Sequence, residues 1–283
     1  LYVYLRQDLP SLAKLENYEP SLGSQVYDKD GNLIYEFFIE NRIAIDYERV
    51  PQELVNAFLA VEDREFFDHH GINYLGIMRA MYINLKAGRF VQGGSTITQQ
   101  LARNLFLTHR KNIVRKLREA LLTKEIEGIY SKEEIFKMYL EQIYLGHGNY
   151  GIETAAMDYF GKHYWQLDLG ESAMLAGMVK APNNYSPRRH YERAKNRQKI
   201  VLQAMVDFGT ITQDVANREK ARELAIHQKD EQRIAGYFIE EIRRYMEQNY
   251  GNERLFNDGL QIYTALDSHL QVTAEESLQR RLT

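Results

Sequence analysis

The chain has 283 residues, of which 44% are apolar and 27% are charged, and its formal net charge is only -3. This composition excludes intrinsic disorder, and the length allows one large domain or one domain with a smaller appendage. Cysteine is absent, which excludes disulfide scaffolds, cysteine nucleophiles and thiolate metal sites. The sequence has no run of about 20 apolar residues, the length that a membrane-spanning helix needs.

The first predicted elements are two short strands. Gln25–Tyr27 and Leu33–Phe37 flank residues 28–32, whose Asp-Gly pair tolerates positive φ, and this pattern is typical of a β-hairpin. Near the other end, Leu260–Thr264 is an isolated strand candidate, and an isolated strand needs a partner. We expect this strand to pair with the hairpin.

The middle of the chain is predicted to be helical. All five prolines lie outside residues 52–181, where apolar residues recur with the period of a helix. Capping-box patterns predict helix starts at Thr96, Ser131 and Asp168. Glycines predict helix ends at Gly146, Gly161 and Gly209. Further helices are expected at about 191–208, 212–228 and 231–250.

A glutamate interrupts the apolar face of the first predicted helix, which begins near Pro51. Glu62 lies four residues from Phe58 and four from Phe66. Burial disfavours a charged carboxylate and raises its pKa, which makes a glutamate a usable base near neutral pH. The structural alternative is a glutamate at the edge of the face that pairs with a nearby Lys or Arg. The adjacent histidines at 69 and 70 point apart and lack HExxH spacing, so they indicate no metal site.

Residues 92–100 have the composition of an anion site. They place two glycines and three hydroxyl groups at a helix start, where free N–H groups and the helix dipole favour anions. A plain capped helix is the alternative, and the Walker pattern of a nucleotide P-loop is absent. Six basic residues and no acidic one follow between Arg103 and Arg118. A groove for phosphate explains this cluster, whereas the confined patch and a pI of about 6.3 argue against nucleic acid.

Residues 72–90 are apolar nearly all round, with Arg79, Lys86 and Arg89 as the only charges. This composition suits a helix in a membrane interface, and a buried core helix fits the pattern nearly as well. Two carboxylates, Glu62 and Glu119, a pyrophosphate-like site and a lipid-facing helix together indicate a sugar carried on a lipid pyrophosphate.

Five segments in chain order resemble the motifs of the peptidoglycan glycosyltransferases, family 51. Glu62–Gly71 fits EDxxFxxHxG, 92–100 fits GxSTxTQQ, Arg115–Glu119 fits RKxxE, Tyr139–Gly146 resembles YLNxxYxG, and Arg197 begins an RxxxVL stretch. The chain departs from the family at Arg103, where many members have Lys, and at Glu141, where Asn is usual. The flanking segments resemble those of class A, bifunctional penicillin-binding proteins.

The resemblance implies a mainly α fold: a lysozyme-like helical glycosyltransferase domain with a membrane-facing jaw subdomain. A small β element from the N-terminal hairpin and the C-terminal strand completes it. The implied divisions are a post-anchor segment with the hairpin at 1–44, the glycosyltransferase domain at 45–228 with the jaw at about 72–115, and a linker at 229–283 toward an absent transpeptidase domain. Ser11–Lys14 spells the SxxK motif of transpeptidases, but no KTG follows and the segment is too short for that fold.

The resemblance also implies an activity, the polymerisation of lipid II into β-1,4 glycan with inversion and release of undecaprenyl pyrophosphate. Glu62 would be the general base and Glu119 the second catalytic residue, near the pyrophosphate. Implied substrate-binding residues are Asp63, His69, Ser95, Thr98, Gln99, Gln100, Arg103, Lys111, Arg115, Lys116 and Arg197. No metal site built from protein ligands is implied, and a divalent cation, Mg²⁺ or Mn²⁺, at the pyrophosphate is the one cofactor it allows.

The implied partners are lipid II, the growing glycan chain, the membrane bilayer, the inhibitor moenomycin and other cell-wall synthesis proteins, but not nucleic acid. The implied location is the outer face of a bacterial cytoplasmic membrane. Two other functions stay open. One is a lysozyme-like enzyme that cleaves the same glycan, although cleavage involves no phosphate that six cations would neutralise. The other is a catalytically inactive membrane-associated scaffold, against which the two retained glutamates argue.

Overall fold

The computed structural model describes residues 24–37, 43–88, 93–106, 113–227, 235–251, 254–255 and 258–282. These residues belong to two compact units. The first contains the described part of Ile43–His227, and the second contains the described parts of Glu19–Arg42 and Gln228–Thr283. The described residues are mainly helical with one small sheet, as the sequence predicts. The domain bounds at 44/45 and 228/229, as functional divisions, stay predictions.

Nine α-helices make up most of the described part of the first unit. In chain order they are α1 (Gln52–Glu62), α2 (Tyr74–Ala87), α3 (Ile97–Phe106), α4 (Ile113–Ile129), α5 (Lys132–Gln142), α6 (Ile152–Phe160), α7 (Leu169–Met178), α8 (Tyr191–Phe208) and α9 (Gln213–Ala221). One 3₁₀ turn, Tyr47–Arg49, precedes α1, and another, Tyr164–Gln166, lies between α6 and α7. No described helix is both long enough and apolar enough to cross a bilayer.

Local chemistry fixes several helix starts as predicted. The Thr96 hydroxyl accepts the N–H of Gln99, whose side chain accepts the N–H of Thr96, and this reciprocal pair begins α3. The boxes at Ser131 and Asp168 begin α5 and α7 in the same way. The helix expected at 191–208 is confirmed as α8.

Two of the three predicted glycine stops are confirmed and one is wrong. Gly161 and Gly209 end α6 and α8 in the left-handed conformation. Helix α5, however, ends at Gln142, and Gly146 lies in a turn beyond it with φ +84°. A Cβ at Gly146 would lie 3.2 Å from the carbonyl oxygen of Pro182, so packing as well as φ explains this glycine.

The helix expected at 212–228 is shorter than predicted, because α9 ends at Ala221. The buried ammonium of Lys195, on α8, donates to the carbonyls of Glu219 and Arg222. The carbonyl groups at the end of α9 thus have a hydrogen-bond partner on another helix. The N–H of Leu224 then donates to the Tyr191 hydroxyl. Because these partners are 24 and 33 residues apart in the sequence, no local pattern predicts that α9 ends at Ala221. The next predicted helix, 231–250, is observed from Gly236 onward, and residues 228–234 lie outside the described part.

A group of buried aromatic rings packs below the end of α1. Phe58 and Tyr139 have ring centroids 6.1 Å apart, Phe66 and Phe136 are 5.8 Å apart, and Phe136 and Tyr139 are 6.1 Å apart. Burial of one such side chain stabilises the fold by about 2 kcal/mol or more. One of these rings, Tyr139, lies close enough to Glu62 for the charge of Glu62 to act on its hydroxyl group.

The second unit contains α10 (Gly236–Tyr250), α11 (Ser268–Leu282) and a three-stranded sheet. Strands β1 (Ser24–Tyr27) and β2 (Leu33–Phe37) form the predicted antiparallel hairpin. Strand β3 (Gln261–Tyr263) pairs in parallel with β1, so the predicted pairing of the C-terminal strand is confirmed. The core of this unit contains Val26, Phe37, Ile239, Met246 and Leu255.

Candidate active site

The first carboxylate of the candidate site is the last residue of α1. Glu62 is partly buried, and its Oε2 accepts a hydrogen bond of 2.8 Å from the Gln100 amide. Burial raises the pKa of Glu62, whereas the bond from Gln100 and the positive charges of Arg197 and Arg103 oppose this rise. The carbonyl end of a helix also disfavours an anion. Glu62 therefore has the raised pKa that the sequence predicts for a base.

Two arginines that the sequence predicts to bind substrate act electrostatically on Glu62 from different helices. Arg103 lies on α3, one turn after Gln100, and Arg197 lies on α8. The Arg197 Nε donates to the carbonyl of Gly177 at 3.3 Å, and a Cβ at Gly177 would lie only 3.0 Å from Arg197 Cγ. Close packing of α7 and α8 thus directs the Arg197 side chain, and both cations act on the Glu62 carboxylate.

Tyr139 is a neighbour of Glu62 that the site prediction did not include. Its ring is fully buried, and its hydroxyl has no hydrogen-bond partner among the described residues. Burial and the charge of Glu62 raise the pKa of Tyr139. The only signal in the sequence is its place as the first residue of the YLNxxYxG-like block. The described structure thus leaves a buried hydroxyl group near Glu62.

Asp63 and His69 join the end of α1 to the start of α3. Asp63 Oδ2 accepts the N–H of Ile97 at 3.1 Å and the Nε2–H of His69 at 2.9 Å. The His69 Nδ1 accepts the N–H of Gly71, and this bond assigns the ring proton to Nε2. These contacts are internal and indicate a positioning role. Direct contact of Asp63 and His69 with substrate stays a prediction.

Thr98 and Gln99 are also buried, and their polar groups already have partners. The Gln99 side chain closes the capping box of α3. The Thr98 hydroxyl donates to Glu127 on α4 at 2.5 Å. Their contact with substrate therefore stays a prediction, whereas Gln100 contacts Glu62 directly.

The second carboxylate, Glu119, is surrounded by cations on α4. Its side chain is only 1% exposed, and it forms an ion pair with Lys116. Its Oε2 lies 3.9 Å from the Arg115 guanidinium, one helical turn away. Lys116 also donates to the Ser95 hydroxyl at 3.1 Å. We call Ser95, Arg115, Lys116 and Glu119 the basic cluster. Lys111, another predicted member, lies outside the described residues.

The basic cluster contains one carboxylate oxygen that is suited to a cation. Among the described residues, no three His, Asp or Glu side chains converge as a metal site. Glu119 Oε2 is buried and accepts no hydrogen bond within that part of the chain. Mg²⁺ commonly takes one or two carboxylates from the protein and completes its shell with phosphate and water. Glu119 fits such a cation, which would need the substrate for its other ligands.

Helix α2 exposes an apolar face. Six of its large side chains are between 66% and 81% exposed, and they recur at helical spacing: Tyr74, Leu75, Met78, Met81, Tyr82 and Leu85. Ala80 is the one buried residue of this helix. The alternative of a buried core helix is therefore wrong. A contiguous apolar face of this kind marks a contact with a membrane or another protein.

The departure at Glu141 has a structural explanation. Its Oε1 accepts the N–H of Ile45 at 2.9 Å, and the Lys137 ammonium lies 3.9 Å away. Burial raises the pKa of Glu141. The carboxylate fastens the segment before the first 3₁₀ turn to α5. This contact gives the side chain a partner within the fold, and none of its observed contacts is with Glu62 or the basic cluster.

The chain resembles known proteins over most of its length. Residues 30–206 match the family model described as Transglycosylase. The chain is 42% identical over 98% of its length to penicillin-binding protein 1A of Aquifex aeolicus, and it covers 38% of that protein. It is 39% identical over its whole length to penicillin-binding protein 1A of Escherichia coli, of which it covers 33%.

A solved structure also resembles this chain. The crystal structure of penicillin-binding protein 1A from Haemophilus influenzae matches 91% of this chain and 29% of its own, with a TM-score of 0.58 and 26% identity. This likeness supports the predicted helical fold class. The chain thus spans well under half the length of the proteins that it resembles. Since the family model covers more than half of the chain, the chain belongs to the transglycosylase family.

Proposed function

We propose that the chain is a peptidoglycan glycosyltransferase that polymerises lipid II into β-1,4 glycan and releases undecaprenyl pyrophosphate. The observation that supports this most is the combination of two different carboxylate environments in one unit. Burial raises the pKa of Glu62, whereas Glu119 lies beside the cations of Arg115 and Lys116. Separate environments for two carboxyl groups are typical of sites in which one handles a proton and the other handles charge.

In the proposed reaction, the sugar 4-hydroxyl of lipid II attacks the anomeric carbon of the growing chain. A carbon–oxygen bond forms to that hydroxyl, and the bond from the anomeric carbon to the pyrophosphate breaks on the opposite face, which inverts the configuration. Glu62 takes the hydroxyl proton. Gln100 holds the carboxylate in place during this transfer, at 2.8 Å in the free protein.

The basic cluster receives the leaving group in this proposal. Negative charge grows on the pyrophosphate as the bond breaks, and fixed cations and hydroxyl donors stabilise such charge best when they are already in place. Lys116 and Arg115 supply the cations, and Ser95 supplies a donor. A bound Mg²⁺ or Mn²⁺ at Glu119 would supply further positive charge. A glycan-cleaving enzyme has no phosphate to stabilise, which favours the transferase.

Substrate delivery is the proposed role of α2. Lipid II carries its sugar on a long lipid, so a site close to the bilayer surface is required. The exposed apolar face of α2 would lie in the membrane interface, on the outer side of the cytoplasmic membrane, where the growing glycan is also held. Moenomycin, a mimic of the lipid-linked donor, would compete for the same site, and other cell-wall synthesis proteins would act beside it.

The pH dependence of the reaction follows from Glu62. A base must be deprotonated, so kcat is expected to fall as the pH decreases through the pKa of Glu62. Because burial raises that pKa, the fall should begin at higher pH than for an ordinary glutamate, whose pKa is about 4.3. The variant Gln100→Leu removes a bond that favours the carboxylate, so its acidic limb should move to still higher pH. Initial rates across the acidic range check this, and Gln213→Leu, an exposed glutamine on α9, should leave the limb in place.

The test of the proposed function is incubation of the purified chain with lipid II. We expect glycan strands that lysozyme digests, formed with release of undecaprenyl pyrophosphate and blocked by moenomycin. Preformed glycan should stay intact. Shortening of preformed glycan, without growth from lipid II, would instead establish the hydrolase. If neither reaction occurs, the inactive scaffold is the remaining function.

A further inference from the structure

A buried carboxylate that the proposed mechanism does not use lies behind the first turn of α3. The Glu127 side chain, on α4, is only 8% exposed. Its Oε1 accepts hydrogen bonds from the Thr98 hydroxyl at 2.5 Å and from the Lys132 ammonium at 2.8 Å. The same ammonium lies 4.5 Å from the centroid of the Phe66 ring. One carboxylate therefore joins the start of α3, the start of α5 and the segment that follows Glu62.

The backbone at Gly71 packs directly on this carboxylate's side chain. A Cβ at Gly71 would lie 2.9 Å from Glu127 Cγ and 2.7 Å from Thr123 Cγ2, both closer than real Cβ atoms approach. The Gly71 carbonyl also accepts the Thr96 hydroxyl at 2.5 Å. Close approach to Glu127, together with φ of +83°, explains the glycine that ends the first motif.

Thr98 and Gln100 lie on opposite faces of α3. Two residues turn an α-helix by about 200°, so their side chains point in nearly opposite directions. Gln100 bonds Glu62 on one face, and Thr98 bonds Glu127 on the other. The bond from Thr98 to Glu127 therefore restrains the rotation of α3 about its own axis, and with it the direction of the Gln100 amide.

We propose that Glu127 and Lys132 are positioning residues of the active site, which hold α3 through Thr98 so that Gln100 meets Glu62. The inference rests on the proposed function, in which Glu62 is the base. A buried ion pair is by itself weak evidence for stability. If Glu127 and Lys132 position Gln100, however, their loss also changes the protonation of Glu62, which neither of them contacts.

The sign of that change separates positioning from simple charge loss. The Gln100 amide favours the ionised form of Glu62, so a rotated α3 would move the Glu62 titration to higher pH. Loss of the Glu127 charge with α3 in place would move it to lower pH. The other charged or titratable groups that act on Glu62 are Asp63, Arg103, Tyr139 and Arg197.

Two changes that keep the net charge constant therefore test the inference. Thr98→Val removes the hydroxyl and nothing ionisable. The double variant Glu127→Gln with Lys132→Met removes both charges of the pair and leaves a side chain that packs well on the Phe66 ring.

Glu153→Gln is the matched control. Glu153 lies on α6, its side chain is 7% exposed, and it pairs with His163 and accepts the N–H of Tyr164. It thus resembles Glu127 in burial and in its number of partners, but it holds none of the residues that contact Glu62. Its replacement should lower the thermal midpoint without altering the base.

Three measurements complete the test: the carboxyl ¹³C titration of Glu62 in glutamate-labelled protein, kcat with lipid II, and the thermal midpoint. The two test variants should move the titration to higher pH and lower kcat by about tenfold. The Glu153 variant should change only the thermal midpoint. A parental titration and kcat in both test variants would overturn the inference. If the parent itself makes no glycan, the proposed function fails, and the titration still decides whether Thr98 and Glu127 position Gln100.

Discussion

Glu62→Gln is expected to reduce glycan polymerisation from lipid II by a factor of about 10² to 10⁴, the usual contribution of a positioned general base. Glutamine has the same shape but does not accept a proton from the attacking hydroxyl. Its amide can still meet Gln100, so the fold should be unchanged. Polymer formation is measured with purified lipid II, beside Glu65→Gln. Glu65 is three residues away, bonds Asn73 and lies near Arg79, and its variant should keep close to the parental rate.

The same substitution should not destabilise the protein. Because burial raises the pKa of Glu62, its ionisation is harder in the folded chain than in the unfolded chain. The resulting loss of stability is absent below the unfolded pKa and appears as the pH rises through the folded pKa. Above that pH, the Glu62→Gln variant should therefore have a thermal midpoint equal to or higher than the parent's. A variant that polymerises at the parental rate would show that Glu62 is not the base.

Polar substitution of the α2 face is expected to reduce binding to lipid vesicles by at least about a hundredfold, because each apolar side chain that leaves water contributes about 1.5 kcal/mol or more. The four residues to change to glutamine are Leu75, Met78, Met81 and Leu85. All four are exposed in the described structure, so the fold and the thermal midpoint should be preserved. Sedimentation with vesicles measures the partition constant.

A matched control is available on α8, where Ile200 is 55% exposed outside this face. Ile200→Gln should leave vesicle binding unchanged. The α2 variant should also lose activity on vesicle-bound lipid II while it retains activity on a short-chain, water-soluble analogue, since the base and the basic cluster are untouched. Equal vesicle binding by the parent and the fourfold variant would assign the apolar face to another partner.

Features that depend on neighbouring residues were predictable from the sequence. Capping boxes at Thr96, Ser131 and Asp168 need only four residues each, and all three form. The hairpin needs only its turn. The basic cluster was also predictable in part, because positions three and four apart on a helix meet whatever the tertiary fold is.

Features that depend on packing between distant segments could not be predicted from the sequence. The bond from Gln100 to Glu62 joins residues 38 positions apart, and the bond from Glu141 to Ile45 joins residues 96 apart. Motif spacing shows that such residues belong to one site but not which of them touch. For the same reason, the motif that contains Thr98 did not indicate that its hydroxyl bonds Glu127, a carboxylate that no motif had singled out.

The parallel pairing of β1 with β3 also constrains the order of events during synthesis. Ser24 and Leu260 are bonded although they are 236 residues apart, and the whole of the first unit's described part lies between them in the chain. A ribosome therefore completes the catalytic helices before the partner of β1 exists. Until then β1 has an unpaired edge, which can recruit strands from other chains. Chains stopped before β3 should thus aggregate through their N-terminal hairpin even when their helices have already folded.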